Sequence, residues 1–249
     1  MLGDATAREG LLPSTRWTIV LEAGQSQSTS GQALSALSEL CRIYWRPLYL
    51  FLRREGVSRD DAQDLIQGFF AHLIATRAYA RADREKGRFR SFLLGTLKHF
   101  AADARDYDRA QKCSGGIIPE QLDENAIAEV EARVESAENW SAHTLYDREW
   151  AAALLRQTLD RLAEECAIAG KATLFDSLRS YLPAGGDETI PYEEISLRLR
   201  RAEGTLRSDV TRLRMRYRAI LREEVRGTVA EPAEVDEELR YLCQVIAQA

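Results

Sequence analysis

Apolar residues recur every three or four positions along most of this chain, a spacing that predicts helices nearly throughout. The first is short: Ser14 or Thr15 can cap it, Trp17 and Val20 lie within it, and the polar run GQSQSTSGQ ends it. Longer helices are expected over about 33–54, kinked at Pro47, then over 58–75 and 88–112, so that 14–112 reads as a first helical domain. Within the second of these, DAQDLIQGFFAHLI sets Ala62, Ile66, Phe69 and Leu73 on one stripe facing a core. Asp64, Gln67, Gly68 and Ala71 occupy the other side. A glycine inside a helix costs about 1 kcal/mol relative to alanine, so this polar face asks for a reason beyond contact with solvent.

Beyond it, 113–143 has glycines, a proline, many acids and few large apolar side chains, and reads as an acidic linker. A second helical domain spans 144–228. Trp150, Leu154, Leu155, Leu159 and Leu162 form one stripe, Phe175, Leu178 and Leu182 the next, and PAGGDET interrupts the pattern. PYEEISLRL and EGTLRSDVTRLRMRYRAILREE follow, a short and a long helix separated by a turn of three or four residues, which are helix-turn-helix proportions. Leu206, Val210, Leu213, Tyr217 and Ile220 give the longer helix its buried stripe. In 229–249, Val235, Leu239, Leu242 and Ile246 predict a short amphipathic tail helix, too short to hold alone in water. It is expected to pack on the second domain, or else on a regulatory partner or the basic recognition helix. No alternating apolar run is long enough for a sheet, so the expected fold is all-α: two small helical domains joined by the linker.

The 249 residues are 45% hydrophobic and 29% charged, enough for real cores. Cys41, Cys113, Cys166 and Cys243 are scattered without a C-x-x-C pair, and His72, His99 and His143 do not gather near them. The expectation is reduced thiols in a cytoplasmic protein, with no metal and no cofactor. Neither a signal-peptide pattern nor an 18-residue apolar run is present, so no membrane span is expected. With no phosphate-cradling glycine loop and no paired nucleophile and base, an enzyme is not expected.

A net charge of −5 argues against a nucleic-acid binder only on average. Acids concentrate over 120–149 and 223–238, whereas Arg198, Arg200, Arg201, Arg207, Arg212, Arg214, Arg216, Arg218 and Arg222 face only Glu203 and Asp209 between them. Such a local field survives the bulk charge within a Debye length of about 8 Å. On the recognition helix, Thr205, Ser208, Thr211 and Arg212, flanked by Arg207 and Arg214, suit a major groove: small hydroxyls permit close approach and arginines hold phosphates. Earlier, REKGRFRSFLLGTLKHFAADARDYDRAQK mixes cations with Phe89, Phe92, Phe100 and Tyr107, a composition that suits single-stranded nucleic acid. Helical spacing makes Phe89 and Phe100 better core residues than stacking platforms, leaving the stretch 82–90 as the better place to hold a base.

These three segments, in this order, resemble bacterial RNA polymerase sigma factors of the sigma-70 family, in the extracytoplasmic-function class that keeps only regions 2 and 4. DAQDLIQGFFAHLI is similar to the helix that docks on the polymerase largest subunit, KGRFRSFLLGTLKHFAADARDYDRAQK to the segment that melts and reads the start-proximal promoter element, and EISLRLRRAEGTLRSDVTRLRMRYR to the helix-turn-helix that reads the distal one. The resemblance implies core polymerase docking through Asp61, Asp64, Leu65, Gln67 and Gly68. It implies DNA contacts through Lys86, Arg88, Arg90, Lys98, His99, Arg105 and Arg109, and again through Thr205, Arg207, Ser208, Thr211, Arg212 and Arg214. Core RNA polymerase and promoter DNA are the implied partners, with an anti-sigma factor or other regulator as a further one. Gly68 stands where the family usually has an acid, Arg200 where the turn has glycine, Ala202 where a serine caps the helix, and Asp209 where a basic residue is common. A helix-turn-helix regulator that works without polymerase is the alternative reading.

Overall fold

The computed structural model describes residues 31–81, 88–108, 124–137, 139–186, 188–229 and 231–247. Every regular element among them is helical. The α-helices are α1 Gly31–Arg54, α2 Arg59–Ala75, α3 Phe89–Asp108, α4 Glu124–Ser136, α5 Ala142–Ile168, α6 Ala172–Leu178, α7 Tyr192–Leu199, α8 Glu203–Arg226 and α9 Val235–Ala247. The short helix expected around Trp17 and Val20 lies outside the described residues. No helix among those described is long and apolar enough to cross a membrane.

Local chemistry fixes the helix ends. Ser58 caps α2: its Oγ accepts the Asp61 N–H at 3.2 Å and donates to the Asp61 carboxylate at 2.6 Å, satisfying a donor that the first turn leaves over. Ser141 does the same for α5 by accepting from the Thr144 N–H. α1 continues through Pro47, which is buried. In the PAGGDET turn, a β-carbon on Gly185 would stand 1.8 Å from the Arg179 carbonyl oxygen, so glycine is required there.

One buried cluster runs from α1–α3 through α4 and the first half of α5 to Val225, Val229 and α9. α5 has 27 residues, about 40 Å of helix, and joins this cluster to the next. Its N-terminal half packs along α1 with Trp150 fully buried, and its C-terminal half meets α6 and α8 through Leu159, Leu162, Phe175, Tyr217 and Ile220. Full burial of each such side chain is worth roughly 1.5–3 kcal/mol.

Two expectations need correction. The expected linker, 113–143, contains α4, whose Ile127 and Val130 are buried in the first cluster. Three of its acids are matched to bases of α1 and α2: Glu124 with Arg59 at 2.9 Å, Glu129 with Arg46 at 3.1 Å, and Glu131 with Arg53 at 2.6 Å. Acid-rich composition reads as a solvated tether because the complementary arginines lie 65 to 83 positions earlier. In the tail, the buried stripe is Val235, Glu238, Leu242 and Val245, with Leu239 half-buried and Ile246 exposed. The stripe is rotated from the apolar one because Glu238 is drawn inward by Arg90 of α3 and by Arg88 just before it.

Candidate nucleic-acid interface

α7 and α8 are set at their angle by a left-handed residue. Arg200, at φ 52° and ψ 44°, ends α7 by donating its N–H to the Ser196 carbonyl. The Arg201 N–H reaches the same carbonyl at 3.2 Å, and Ser196 Oγ donates to the Arg201 carbonyl at 2.6 Å. Ala202 then takes the N-cap of α8 with extended backbone and no side-chain bond. Leu178, Ile195, Leu206 and Val210 close a small core beneath the pair. That core is what turns the rest of α8 outward.

Thr205, Arg207, Ser208, Thr211, Arg212 and Arg214 are all exposed on α8. Ser208 and Thr211 donate their hydroxyls back to the Gly204 and Arg207 carbonyls, at 3.1 and 3.0 Å, which keeps that part of the face low. The flanking arginines are tethered: Arg207 lies over the Tyr192 ring at 4.6 Å and donates to Glu203, while Arg214 donates from Nε and Nη2 to the Tyr181 carbonyl at 3.2 and 3.0 Å. Two arginines of the second half of α8, both still exposed, are offset by acids of the fold. Arg216 is paired with Glu165 and Glu223, and Arg222 with Asp236. The Arg216 guanidinium, donating to Glu165, holds that carboxyl below its ordinary range. The outward cationic face is therefore concentrated on the first half of α8 and the turn before it.

On α2, Asp64 is exposed and Gln67 half-buried, while Leu65 is half-buried against the core. Asp61 is exposed but engaged with its cap. Gly68 has an internal explanation: Phe100 of α3 lies over it, its Cζ 3.3 Å from where a β-carbon would stand. The space that a side chain at this position would need is thus filled by a neighbour within the fold. Phe100 in turn packs against Phe69 and His72, at 5.9 and 5.4 Å between ring centres.

The start of α3 departs most from expectation. Arg90, expected on DNA, is 5% exposed: it is ion-paired with Asp147 at 3.3 Å and with Glu238, and lies between the rings of Trp150 and Tyr241 at 4.5 and 4.6 Å. Burial lowers its pKa, opposed first by the Asp147 charge. It has no surface left for a phosphate. Arg88 is half-buried, paired with Glu237 at 3.1 Å and Glu238 at 2.8 Å, and lies over Tyr241 at 5.4 Å. Phe89 is buried as its spacing implied, edge-on to Tyr44. Lys98 is exposed, 3.0 Å from His143 Nε2 and over the Phe51 ring, and His99 is exposed. Arg105 lies on α3, and Lys86 and Arg109 fall outside the described residues.

The residues that sequence reasoning missed are the partners of these arginines: Asp147, Glu238 and Tyr241. Of the three, Glu238 alone left a signal, an acid at a helical register that also carries Val235 and Leu242. Among the described residues, no group of three or more histidine, cysteine or acidic side chains could hold a metal ion. No family model, curated protein or solved structure matches this chain.

Proposed function

We propose that this chain is a promoter-specificity subunit of bacterial RNA polymerase: it binds the core enzyme, recognises promoter DNA and directs initiation, with the nucleotidyl transfer left to the core. The observation that carries the reading is the exposed, arginine-bearing first half of α8, held outward by the left-handed turn at Arg200. Such a helix suits a major groove, with flanking arginines on phosphates and small or planar side chains toward base edges. Asp64 and Gln67, accessible on α2, supply a second and separate docking face of acceptor and mixed donor-acceptor character. The order of segments along the chain, which resembles the sigma-70 family, selects core polymerase as the occupant of that face.

The burial of Arg90 favours a second reading, a helix-turn-helix regulator that binds duplex DNA without opening it. Reconstitution separates the two. Mixed with core polymerase and genomic DNA, the chain is expected to produce defined transcript starts that core alone does not make, while the isolated protein binds the same DNA weakly and with steep salt dependence. Tight sequence-specific binding by the isolated chain at physiological salt, with no effect on core polymerase, would instead establish the regulator.

A further inference from the structure

Asp209 is the one acid on the outward half of α8 beyond its first turn, and its side chain is only 7% exposed. Each of its carboxylate oxygens is taken by a different arginine. Oδ2 accepts from Nη1 of Arg201, in the turn before the helix, at 3.0 Å. Oδ1 accepts from Nη2 of Arg212, one turn further along. The arginines themselves remain accessible, Arg201 at 47% and Arg212 at 70%.

This arrangement is unlike that of the neighbouring cations. Arg207 and Arg214 are tied by aromatic and carbonyl contacts at the edges of α8, as suits phosphate contacts. Arg212 instead follows Gly204 and Ser208 at four-residue intervals, on the stripe where Ser208 keeps a low profile. A guanidinium has five N–H donors in a plane. With one of them committed to a buried carboxylate, others remain as a fixed fork, and the rotamer entropy otherwise lost on binding is lost already on folding. The major-groove partner that accepts two parallel N–H bonds is guanine, through O6 and N7. Left alone, the carboxylate would repel the phosphates on either side; Arg201 offsets its charge and leaves the trio at net +1.

We propose that Asp209 is a positioning residue that presents Arg212 to a guanine in the duplex element bound by α8, with Arg201 neutralising the carboxylate beside the DNA backbone. The proposal rests on α8 entering duplex DNA, which both readings above share. Electrostatics alone predicts that removing the Asp209 charge tightens binding to every sequence. Positioning predicts a loss of discrimination at one base pair, so the two effects have different signatures.

The test uses the full chain with core polymerase, and the chain alone, selected on a duplex library randomised over the bound element. Wild type is expected to select guanine at one position. Asp209→Asn and Arg212→Ala should each reduce that preference roughly ten- to a hundredfold, at the same position, and the double variant should be no worse than either single one. Arg212→Lys, which keeps the charge and loses the fork, should lose the preference while retaining much of the affinity. Arg207→Ala should weaken all sequences alike, and thermal denaturation of each variant checks that it is folded. Retention of the guanine preference in a folded Asp209→Asn, when Arg212→Ala abolishes it, would overturn the positioning role. An unchanged profile in Arg212→Ala would remove Arg212 as the base reader. If wild type selects no sequence in either format, the helix-turn-helix reading itself falls.

Discussion

Glu238, on the last helix, forms an ion pair with Arg90 at the start of α3, and both are buried, at 1% and 5% exposure. The pair ties the C-terminal segment to the first part of the chain. Glu238→Ala is expected to destabilise by about 3–5 kcal/mol, because it leaves the Arg90 charge buried with less compensation. The double variant Arg90→Met with Glu238→Leu should lie closer to wild type than either single change, since it removes both charges from the interior. Urea denaturation of wild type, the two single variants and the double variant measures the coupling; a loss in the double variant equal to the sum of the two single losses would show that the pair is not coupled.

Truncation after Thr228 removes Val229 and α9 and uncovers Val225 and the Tyr241 side of Arg90. Losing the burial of Val235, Leu242 and Val245, at roughly 1.5–3 kcal/mol each, should lower the thermal midpoint on the order of 10 °C and raise binding of an apolar dye. An unchanged midpoint would mean that α9 is not part of the core.

Gly68→Ala and Asp64→Arg should separate packing from docking. The alanine gains about 1 kcal/mol of helix propensity, but its β-carbon would meet Phe100 at 3.3 Å. Phe100 is half-buried and can move outward by a few tenths of an ångström, so a change within about ±1 kcal/mol and unaltered polymerase affinity are expected. Asp64→Arg should leave stability unchanged and weaken core polymerase at least about tenfold, as reversal of an interface charge does. Equilibrium binding to core polymerase reads both; equal affinity for Asp64→Arg and wild type would remove the docking face.

Ala202→Ser supplies the side-chain cap that α8 lacks. The N-cap backbone is already extended, so the hydroxyl can reach an orphan N–H of the first turn without rearrangement, and a gain of about 1 kcal/mol, or 2–4 °C in the thermal midpoint, is expected. Differential scanning calorimetry measures it.

Acid should loosen α4 from α1. Hydrogen bonding from Arg53 holds the Glu131 carboxyl below its ordinary value of 4.5, with a further bond from Tyr49. A folded-state pKa below the unfolded one gives stability that is present above the unfolded value and is lost as pH falls through the folded one. Glu131→Gln is therefore expected to be less stable than wild type at pH 7, with the difference shrinking as pH falls below about 4.5. Because both side chains are about one-fifth exposed, the Glu131–Arg53 pair contributes less than a fully buried one. Urea midpoints at neutral and acid pH supply the comparison.

The sequence by itself determined the helices and much of their burial. Leu206, Val210, Tyr217 and Ile220 are buried as their spacing required, and Ser58 begins α2 because its hydroxyl can reach a donor three residues on. These follow from contacts within a turn or two, which periodicity records directly. The outward position of Thr205, Arg207 and Ser208 follows too, as the complement of the buried stripe. Only the tertiary structure decided which charges stay available. Arg90 looks like a DNA contact and Glu238 like a solvated acid until each meets the other across most of the chain; the acids of α4 look like a tether until Arg46, Arg53 and Arg59 arrive from α1 and α2. Gly68 looks like an interface residue until Phe100 lies over it. A charged side chain has no intrinsic place inside or outside: its cost of burial depends on a partner, and partners distant in sequence leave no local period to read.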